Sequence, residues 1–305
     1  MEQNVSITAG GNKAKSIVEK GMNIIFLVCG SVAVICVVCI TIYMVVSGGP
    51  VIAKVGLFKF LFGQTWDPVA PDQPQFGILP MILSSIIATF AAILIALPTG
   101  VLVATFLAKL APGRMATILR VIIDLLAGIP SVVYGLLGMI LIAPQIYKLQ
   151  AALGFPSGGS LLAAIIILII MILPTIISVS ETAIRAVPQQ YEDASLALGS
   201  TKLQSMFKVT IPAAKNGIVA GMVLGVGRAI GEAMAVSMVA GNATIMPELL
   251  RPVRLLTVSI PHEWAYSSGI HREALYGIGL VLFVFIMVIN IVLNRILKKG
   301  GTAGG

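Results

Sequence analysis

Apolar and polar residues fall along this chain in long blocks rather than in the short periods of a water-soluble fold. Six apolar runs reach the roughly 20 residues a helix needs to cross a hydrocarbon core. They are Met22–Val46, Ile78–Ala108, Val121–Ile146, Leu161–Ser180, Ile218–Ala240 and Ala274–Ile296. The pattern predicts an all-α, polytopic membrane protein with six transmembrane helices. The second run is long enough to tilt strongly or to project from the bilayer. Pro98 and Pro174 lie inside the second and fourth runs and predict kinks that neighbouring helices would cover. Between the first two runs, Val51–Gly77 carries Asp67-Pro68, Pro71-Asp72 and Pro74, and reads as irregular surface chain.

Composition agrees with the pattern. Hydrophobic residues make up 58% and charged residues 10%, with a mean hydropathy of +1.03. A soluble domain is about 25% charged, so the solvent for most of this surface is lipid. Cys29, Cys36 and Cys39 all lie in the first run. There they act as small hydrophobes and imply no disulfide. Lys13, Lys15 and Lys20 precede that run in the manner of a signal peptide. The run is too long for a signal core and lacks a small-x-small cleavage site, so it reads as an uncleaved anchor. Val28 before Cys29 argues against a lipoprotein site.

The formal charge of +8 suggests nucleic acid until the charges are placed. With the N-terminus in the cytoplasm, 13 Lys and Arg fall on inside segments, 6 on outside segments, and Arg228 within a span. The positive-inside rule therefore puts both termini in the cytoplasm, and the basic residues face lipid headgroups rather than nucleic acid. The expected organisation is a cytoplasmic segment over residues 1–21, a first transmembrane helix and outer loop over 22–77, and a core over 78–296. That core contains a cytoplasmic loop over 181–217, and a disordered cytoplasmic tail follows over 297–305.

The cytoplasmic loop is the most informative segment. Pro188–Leu198 is rich in helix formers. Gly199 supplies a left-handed stop, and Thr201-Lys202-Leu203-Gln204 fits a capping box that starts a second helix. Leu203, Met206 and Phe207 give that helix one apolar face. Pro212 would end or bend the chain as it returns to the membrane. Within the loop, Asp193-Ala194-Ser195 is followed after three residues by Gly199, and after nine more by Val209-Thr210-Ile211-Pro212. This spacing resembles the EAA loop of bacterial ABC-importer permeases, E-A-A, x3, G, x9, I-x-L-P. Asp193 stands where that family has Glu, with Glu192 beside it, and Ser195 where it has a second Ala. The resemblance implies a type I ABC-importer permease (MetI-like) core. It also implies that Glu192, Asp193, Ala194, Ser195, Gly199, Leu203, Phe207, Ile211 and Pro212 couple the chain to an ATPase.

The fifth run holds Arg228 and Glu232. Charge at a helix centre costs about 2.5–3.5 kcal/mol on insertion scales and marks a bundle interior or polar cavity. Four residues apart, the two are expected on one helix face. The Arg-before-Glu order is the weaker one for an intrahelical pair, so each is expected to pair with another helix, with Asp124 of the third run as a candidate. Either the pair pins helix packing, or Arg228 meets an anionic substrate through directional hydrogen bonds while Glu232 holds Arg228 in place or repels the anion. Gly217, Gly221 and Gly225 recur every four residues and predict a close helix crossing.

Gly-Arg-Ala-Ile-Gly-Glu-Ala-Met-Ala-Val at 227–236 resembles the signature of the phosphate-importer permeases of the Pst system, PstC-like more than PstA-like. Leu-Ala-Gly-Ile-Pro-Ser-Val-Val-Tyr-Gly at 126–135 resembles it too. Ala233 stands where that family often has a hydroxyl residue. The resemblance implies a bacterial inner-membrane subunit that imports phosphate by alternating access, with Arg228 and Glu232 on its path. The implied partners are a PstA-like permease, PstB-like ATPases and a PstS-like extracytoplasmic phosphate-binding protein. No G-x4-G-K-[ST] is present, so ATP and magnesium are expected in the ATPase and no cofactor in this chain. His262-Glu263-Trp264-Ala265-Tyr266 matches a zinc-protease helix except at its last position, and the loop to Glu273 reads as solvated chain touching the binding protein. Import of sulfate or molybdate by the same architecture, an ion-coupled carrier using Arg228 and Glu232, and a membrane-embedded enzyme are the competing classes. The last lacks a catalytic constellation.

Overall fold

The computed structural model describes residues 11–301. Helix α1 (Gly11–Val55) is one 45-residue helix, so the anchor extends beyond Met22–Val46 at both ends. Most of its apolar side chains are exposed to the surroundings. Among the described residues, those of its last third meet the body. There the Gly48 backbone lies against Tyr276 and Gly277, so close that a Cβ would come within 2.6 Å of the Gly277 nitrogen. The Tyr43 and Tyr276 hydroxyls share a 2.8 Å hydrogen bond beside it.

The segment expected to be irregular is folded. Helix α2 (Leu57–Phe62) is followed by an antiparallel hairpin of β1 (Trp66–Asp67) and β2 (Gln75–Phe76), with Trp66 opposite Phe76. The prolines and aspartates that signalled a loop occupy the hairpin's tip. The flanking aromatics do not follow them into solvent: Phe60, Trp66 and Phe76 are buried against Leu256, Leu275 and Ile278.

Helix α3 (Leu79–Thr105) carries Pro80 in its first turn, where no donor is lost. It runs on through Pro98 and closes in a π turn, Phe106–Leu110. The Thr99 hydroxyl donates to the Ile95 carbonyl at 2.7 Å, beside the hydrogen bond that Pro98 leaves unmade. The third predicted span is not one helix. It divides into α4 (Gly113–Gly128) and α5 (Ser131–Leu137), with a π turn Gly138–Ile142 leading into α6 (Ala143–Ala152). Pro130 explains the break, because it drives Ile129 to an extended ψ of 131°.

Helix α7 (Leu161–Arg185) is the centre of the bundle. Ser160 caps it, accepting from the Ala163 nitrogen at 3.2 Å, and Leu168, Met171, Ile172 and Ile176 are fully buried. The helix continues through Pro174. After α8 (Gln189–Ala197) come α9 (Lys202–Ser205), a π turn Met206–Thr210 and α10 (Ile211–Ala213), then α11 (Lys215–Gly231). The chain bends by 67° between Lys202–Ala213 and Lys215–Gly231, beside Pro212 as expected. The fifth predicted span is broken too: α11 stops at Gly231, and α12 (Met234–Val239) starts after an extended Glu232 with ψ of 125°. Helix α13 (Leu256–Glu263), a 3₁₀ turn Trp264–Tyr266 and α14 (Gly269–Gly301) complete the chain. Residues 297–301, expected in a disordered tail, continue α14. The remaining expectations for residues 1–10 and 302–305 lie outside the described residues.

Among the described residues five helices are long and apolar enough to cross a membrane, or six with the bent pair counted as one span. The glycine repeat packs inward. Gly217 faces Ala183, and a Cβ on Gly221 would come within 3.3 Å of Val179 and one on Gly225 within 3.1 Å of Ile176, all on α7. Small residues here bring α11 and α7 backbones together without a partner chain.

Candidate functional site

The two broken spans bring their interruptions into one region. The short helices α5 and α12 pack together, and a Cβ on Gly135 would come within 2.8 Å of the Ala235 Cα. Each break leaves backbone groups that need partners. The Tyr134 hydroxyl donates to the Leu126 carbonyl at 2.6 Å. The Thr257 hydroxyl donates to the Glu232 carbonyl at 2.7 Å. Irregular backbone at this depth is tolerated only where protein or a polar path covers it.

Arg228 sits in the last turn of α11, where the helix dipole favours a cation. Its Nη1 donates to the Thr175 hydroxyl of α7 at 3.3 Å. Among the described residues no carboxylate lies within the 4.0 Å of an ion pair with it. Both expected partners are engaged elsewhere. Glu232 does not share a helix face with Arg228, because the helix ends between them. Its Oε1 accepts from the Ala235 nitrogen at 2.8 Å and caps α12. Asp124 is exposed on α4 and accepts from the Ser178 hydroxyl at 3.4 Å. Thr175 and Ser178 share one face of α7, so Arg228 and Asp124 both lie against that face without pairing.

The ends of the helices that adjoin the 181–217 loop carry two ionic clusters. Glu181 is buried and accepts from Arg120 of α4 at 2.7 Å and Arg185 of α7 at 2.8 Å. Arg185 also donates to the Leu107 carbonyl in the π turn that ends α3, at 3.0 Å. The second cluster centres on Glu192. It forms a salt bridge with Lys109 from the same π turn and accepts from the Thr210 hydroxyl at 2.8 Å. Gln189 donates to its other oxygen at 3.3 Å. Burial pushes the Glu192 carboxyl up, but hydrogen bonds from Lys109 and Thr210 outweigh it and hold the group below its ordinary range. The spacing of Glu181 and Arg185 was legible in the sequence. The contributions of Arg120, Lys109 and Thr210 come from other segments and carried no local signal.

The loop has the predicted helix–turn–helix form. Gly199 takes φ of +86°, and the Thr201–Gln204 capping box is complete, with bonds of 3.0 and 3.3 Å. Ser195 and Ser200 hydroxyls lie 2.7 Å apart and tie the turn. Asp193 and Ala194 are exposed, and Gln189 donates to Asp193 at 3.4 Å. Leu203 and Phe207 are more than half exposed and Leu198 is 90% exposed. Met206, expected on the same face, turns inward and is buried. Ile211 packs against the buried cluster of Leu107, Ile184 and Ala214, and Pro212 is exposed at the bend.

At the hairpin end, His262–Glu273 is largely helical and mostly exposed, while Glu263, Ser267 and His271 turn inward. Glu263 is buried, and its carboxylate is bonded by Trp66 Nε1 at 3.0 Å, His271 Nε2 at 2.7 Å, and Arg254. Its oxygens serve protein donors that join four separate segments.

Residues 96–299 match the family model for the binding-protein-dependent transport system inner membrane component. The chain is 37% identical to the probable ABC transporter permease protein YqgH of Bacillus subtilis, over 88% of each chain. It is 35% identical to the phosphate transport system permease protein PstC of Pasteurella multocida, over 80% of this chain and 82% of that protein. Among solved structures, a bacterial alginate ABC transporter matches 93% of this chain and 96% of its own with a TM-score of 0.64 at 14% identity. The MetNI methionine ABC transporter in an inward-facing form matches 73% of this chain and 94% of its own with a TM-score of 0.53 at 21% identity. The broken spans, the exposed helix–turn–helix loop and these likenesses converge: the chain belongs to the family of binding-protein-dependent transport system inner membrane components.

Proposed function

We propose that this chain is a membrane subunit of an ATP-driven importer of inorganic phosphate. The observation that carries the reading is Arg228, set in the last turn of a broken span and hydrogen-bonded to a neutral hydroxyl instead of a carboxylate. A guanidinium left with free donors at such a depth is a directional receptor for an oxyanion. The Thr175 hydroxyl orients it. Relatives whose names specify phosphate transport support this choice among oxyanions.

Both termini lie in the cytoplasm in this reading, because that orientation places most of the basic residues inside. The 181–217 loop then faces the ATPase, with Leu198, Leu203 and Phe207 as its apolar contact. A PstS-like protein delivers phosphate at the hairpin end, and a PstA-like permease completes the path. PstB-like ATPases hold ATP and magnesium. Closing of the motor moves the loop, the loop moves the spans, and phosphate passes Arg228 to the cytoplasm. An ion-coupled carrier has no use for an exposed apolar docking loop.

The test is phosphate and sulfate uptake at low concentration in cells lacking the gene, restored with the unaltered chain or with Arg228→Gln. Restoration of phosphate uptake alone, lost in a normally inserted Arg228→Gln chain, supports the substrate and the path residue. Restoration of sulfate uptake instead selects another oxyanion and sinks the phosphate reading.

A further inference from the structure

The Lys109–Glu192 pair sits at the junction of the loop with the body, and this placement gives it a task. Lys109 belongs to the π turn Phe106–Leu110 that ends α3. Glu192 belongs to α8, the first helix of the loop. The hydroxyl of Thr210, which completes the site, comes from another π turn, Met206–Thr210, at the loop's far side. One carboxylate thus ties both helices of the loop to the end of α3. Side chains of Lys109 and Glu192 are only 14% and 13% exposed, so water weakens the pair little. Ile211 packs through apolar surface, and Asp193, Leu203 and Phe207 face outward.

The same π turn receives a second tie, from Arg185 to the Leu107 carbonyl. Arg185 shares Glu181 with Arg120 of α4. The turn therefore connects the loop to α3, α7 and α4 over a few residues. A π turn holds an extra residue per turn, and such turns recur at functional sites.

We propose that Lys109 is a positioning residue for energy coupling: its ion pair with Glu192 transmits displacement of the docking loop to α3. This inference rests on the importer reading. Lys109 turns its charge to Glu192. It acts through Glu192, so its loss uncouples the two ends of the machine while each remains built. A lysine and a glutamate drawn from segments 83 residues apart in the chain are joined here by charge, so exchange of the two charges is expected to preserve the link.

The experiment uses the chain assembled with its second permease and ATPase subunits in proteoliposomes, supplied with the binding protein. ATP hydrolysis and phosphate uptake are measured in the same vesicles for Lys109→Met, Lys109→Arg, each single charge reversal, and Lys109→Glu combined with Glu192→Lys. For Lys109→Met the ATPases stay bound and hydrolysis continues, while phosphate moved per ATP falls about tenfold, within the range that coupling free energies span. Lys109→Arg keeps the ratio, and the combined exchange recovers most of what each reversal loses. An unchanged ratio in Lys109→Met overturns the proposal. So does loss of uptake and hydrolysis in proportion, failure of Lys109→Met to assemble, or a combined exchange no better than the single reversals.

A second readout needs no substrate. With the three native cysteines replaced by alanine, Gln75→Cys on the strand before α3 is labelled with and without ATP. The unaltered pair transmits an ATP-dependent change in labelling and Lys109→Met does not; equal change in both overturns the proposal. If the unaltered complex hydrolyses ATP and moves no phosphate, the phosphate reading fails, and the labelling still decides the role of Lys109.

Discussion

The Arg228 guanidinium and the Thr175 hydroxyl meet at 3.3 Å, joining the last turn of α11 to the middle of α7. Thr175 follows Pro174, so it lies where α7 itself lacks one backbone donor. Thr175→Val keeps the shape and removes the acceptor. A hydrogen bond to a charged group contributes about 1.5–3 kcal/mol, so phosphate uptake is expected to fall about tenfold or more. Thr175→Ser keeps the hydroxyl and most of the uptake. Uptake rates with normal expression of both variants check this; unchanged uptake in the valine variant removes Thr175 from the path.

Glu232 offers a sharper contrast, since its observed task is to cap α12 through the Ala235 nitrogen at 2.8 Å. A cap needs an oxygen and not a charge. Glu232→Gln is expected to retain most of the thermal stability in detergent, while Glu232→Ala loses about 1 kcal/mol and exposes a buried donor. An ion pair with Arg228 would make the two variants equally harmful, and that result would return Glu232 to the role the sequence suggested.

These two residues also mark where the sequence stopped being readable. Run length and hydropathy are local, and they located most of the membrane helices. The loop was legible in detail, because Gly199 and the Thr201–Gln204 box act through neighbours a few residues away. The breaks at Pro130 and Glu232 were not foreseen. Pro130 carried a local signal, and an apolar run masked it. The break at Glu232 has no proline. It depends on Thr257 taking the freed carbonyl, 25 residues away in the chain. The hairpin end was missed for a related reason. Prolines marked the turn, while the burial of Trp66 and Phe76 was fixed by α13 and α14.

The glycine stripe on α11 yields a position-specific expectation. Gly221 faces Val179 at 3.3 Å from where a Cβ would sit, and Gly225 faces Ile176 at 3.1 Å; Gly227 has nothing within 4 Å. Overpacking costs about 1–3 kcal/mol. Gly221→Val and Gly225→Val are therefore expected to lower the melting temperature of the purified complex, while Gly227→Ala leaves it unchanged or slightly higher. Equal effects at all three sites would mean that α11 and α7 do not cross as described.

At the hairpin end, Glu263 bonds Trp66, Arg254 and His271 together. Glu263→Leu removes the only carboxylate that the described structure gives to the buried Arg254. An uncompensated buried charge costs about 3–5 kcal/mol, and Trp66 loses its acceptor. The expected outcome is a large drop in thermal stability with altered Trp66 fluorescence, read with Trp264→Phe as the background. Trp66→Phe alone removes one donor and costs about 1 kcal/mol. A Glu263→Leu chain as stable as the parent would rule out this network as the clasp of that end.

Glu192 sets the acid limit of the loop. Its carboxyl in the folded chain titrates below the ordinary range, because bonds from Lys109 and Thr210 outweigh burial. A depressed carboxyl contributes stability that is complete above the unfolded value, about 4.3, and is lost as pH falls through the folded value. Between pH 8 and pH 6 this group therefore adds no pH dependence to loop order. Amide hydrogen exchange over 189–213, corrected for the intrinsic effect of pH, is expected to show constant protection across that window. Protection falls only once the pH drops below the ordinary carboxylate range. In Glu192→Gln the neutral amide cannot pair with Lys109, so protection is reduced throughout and the acid-dependent step disappears. A parent loop that loosens near pH 6.5 would require a different titrating group and would remove Glu192 as the residue that holds the loop to α3.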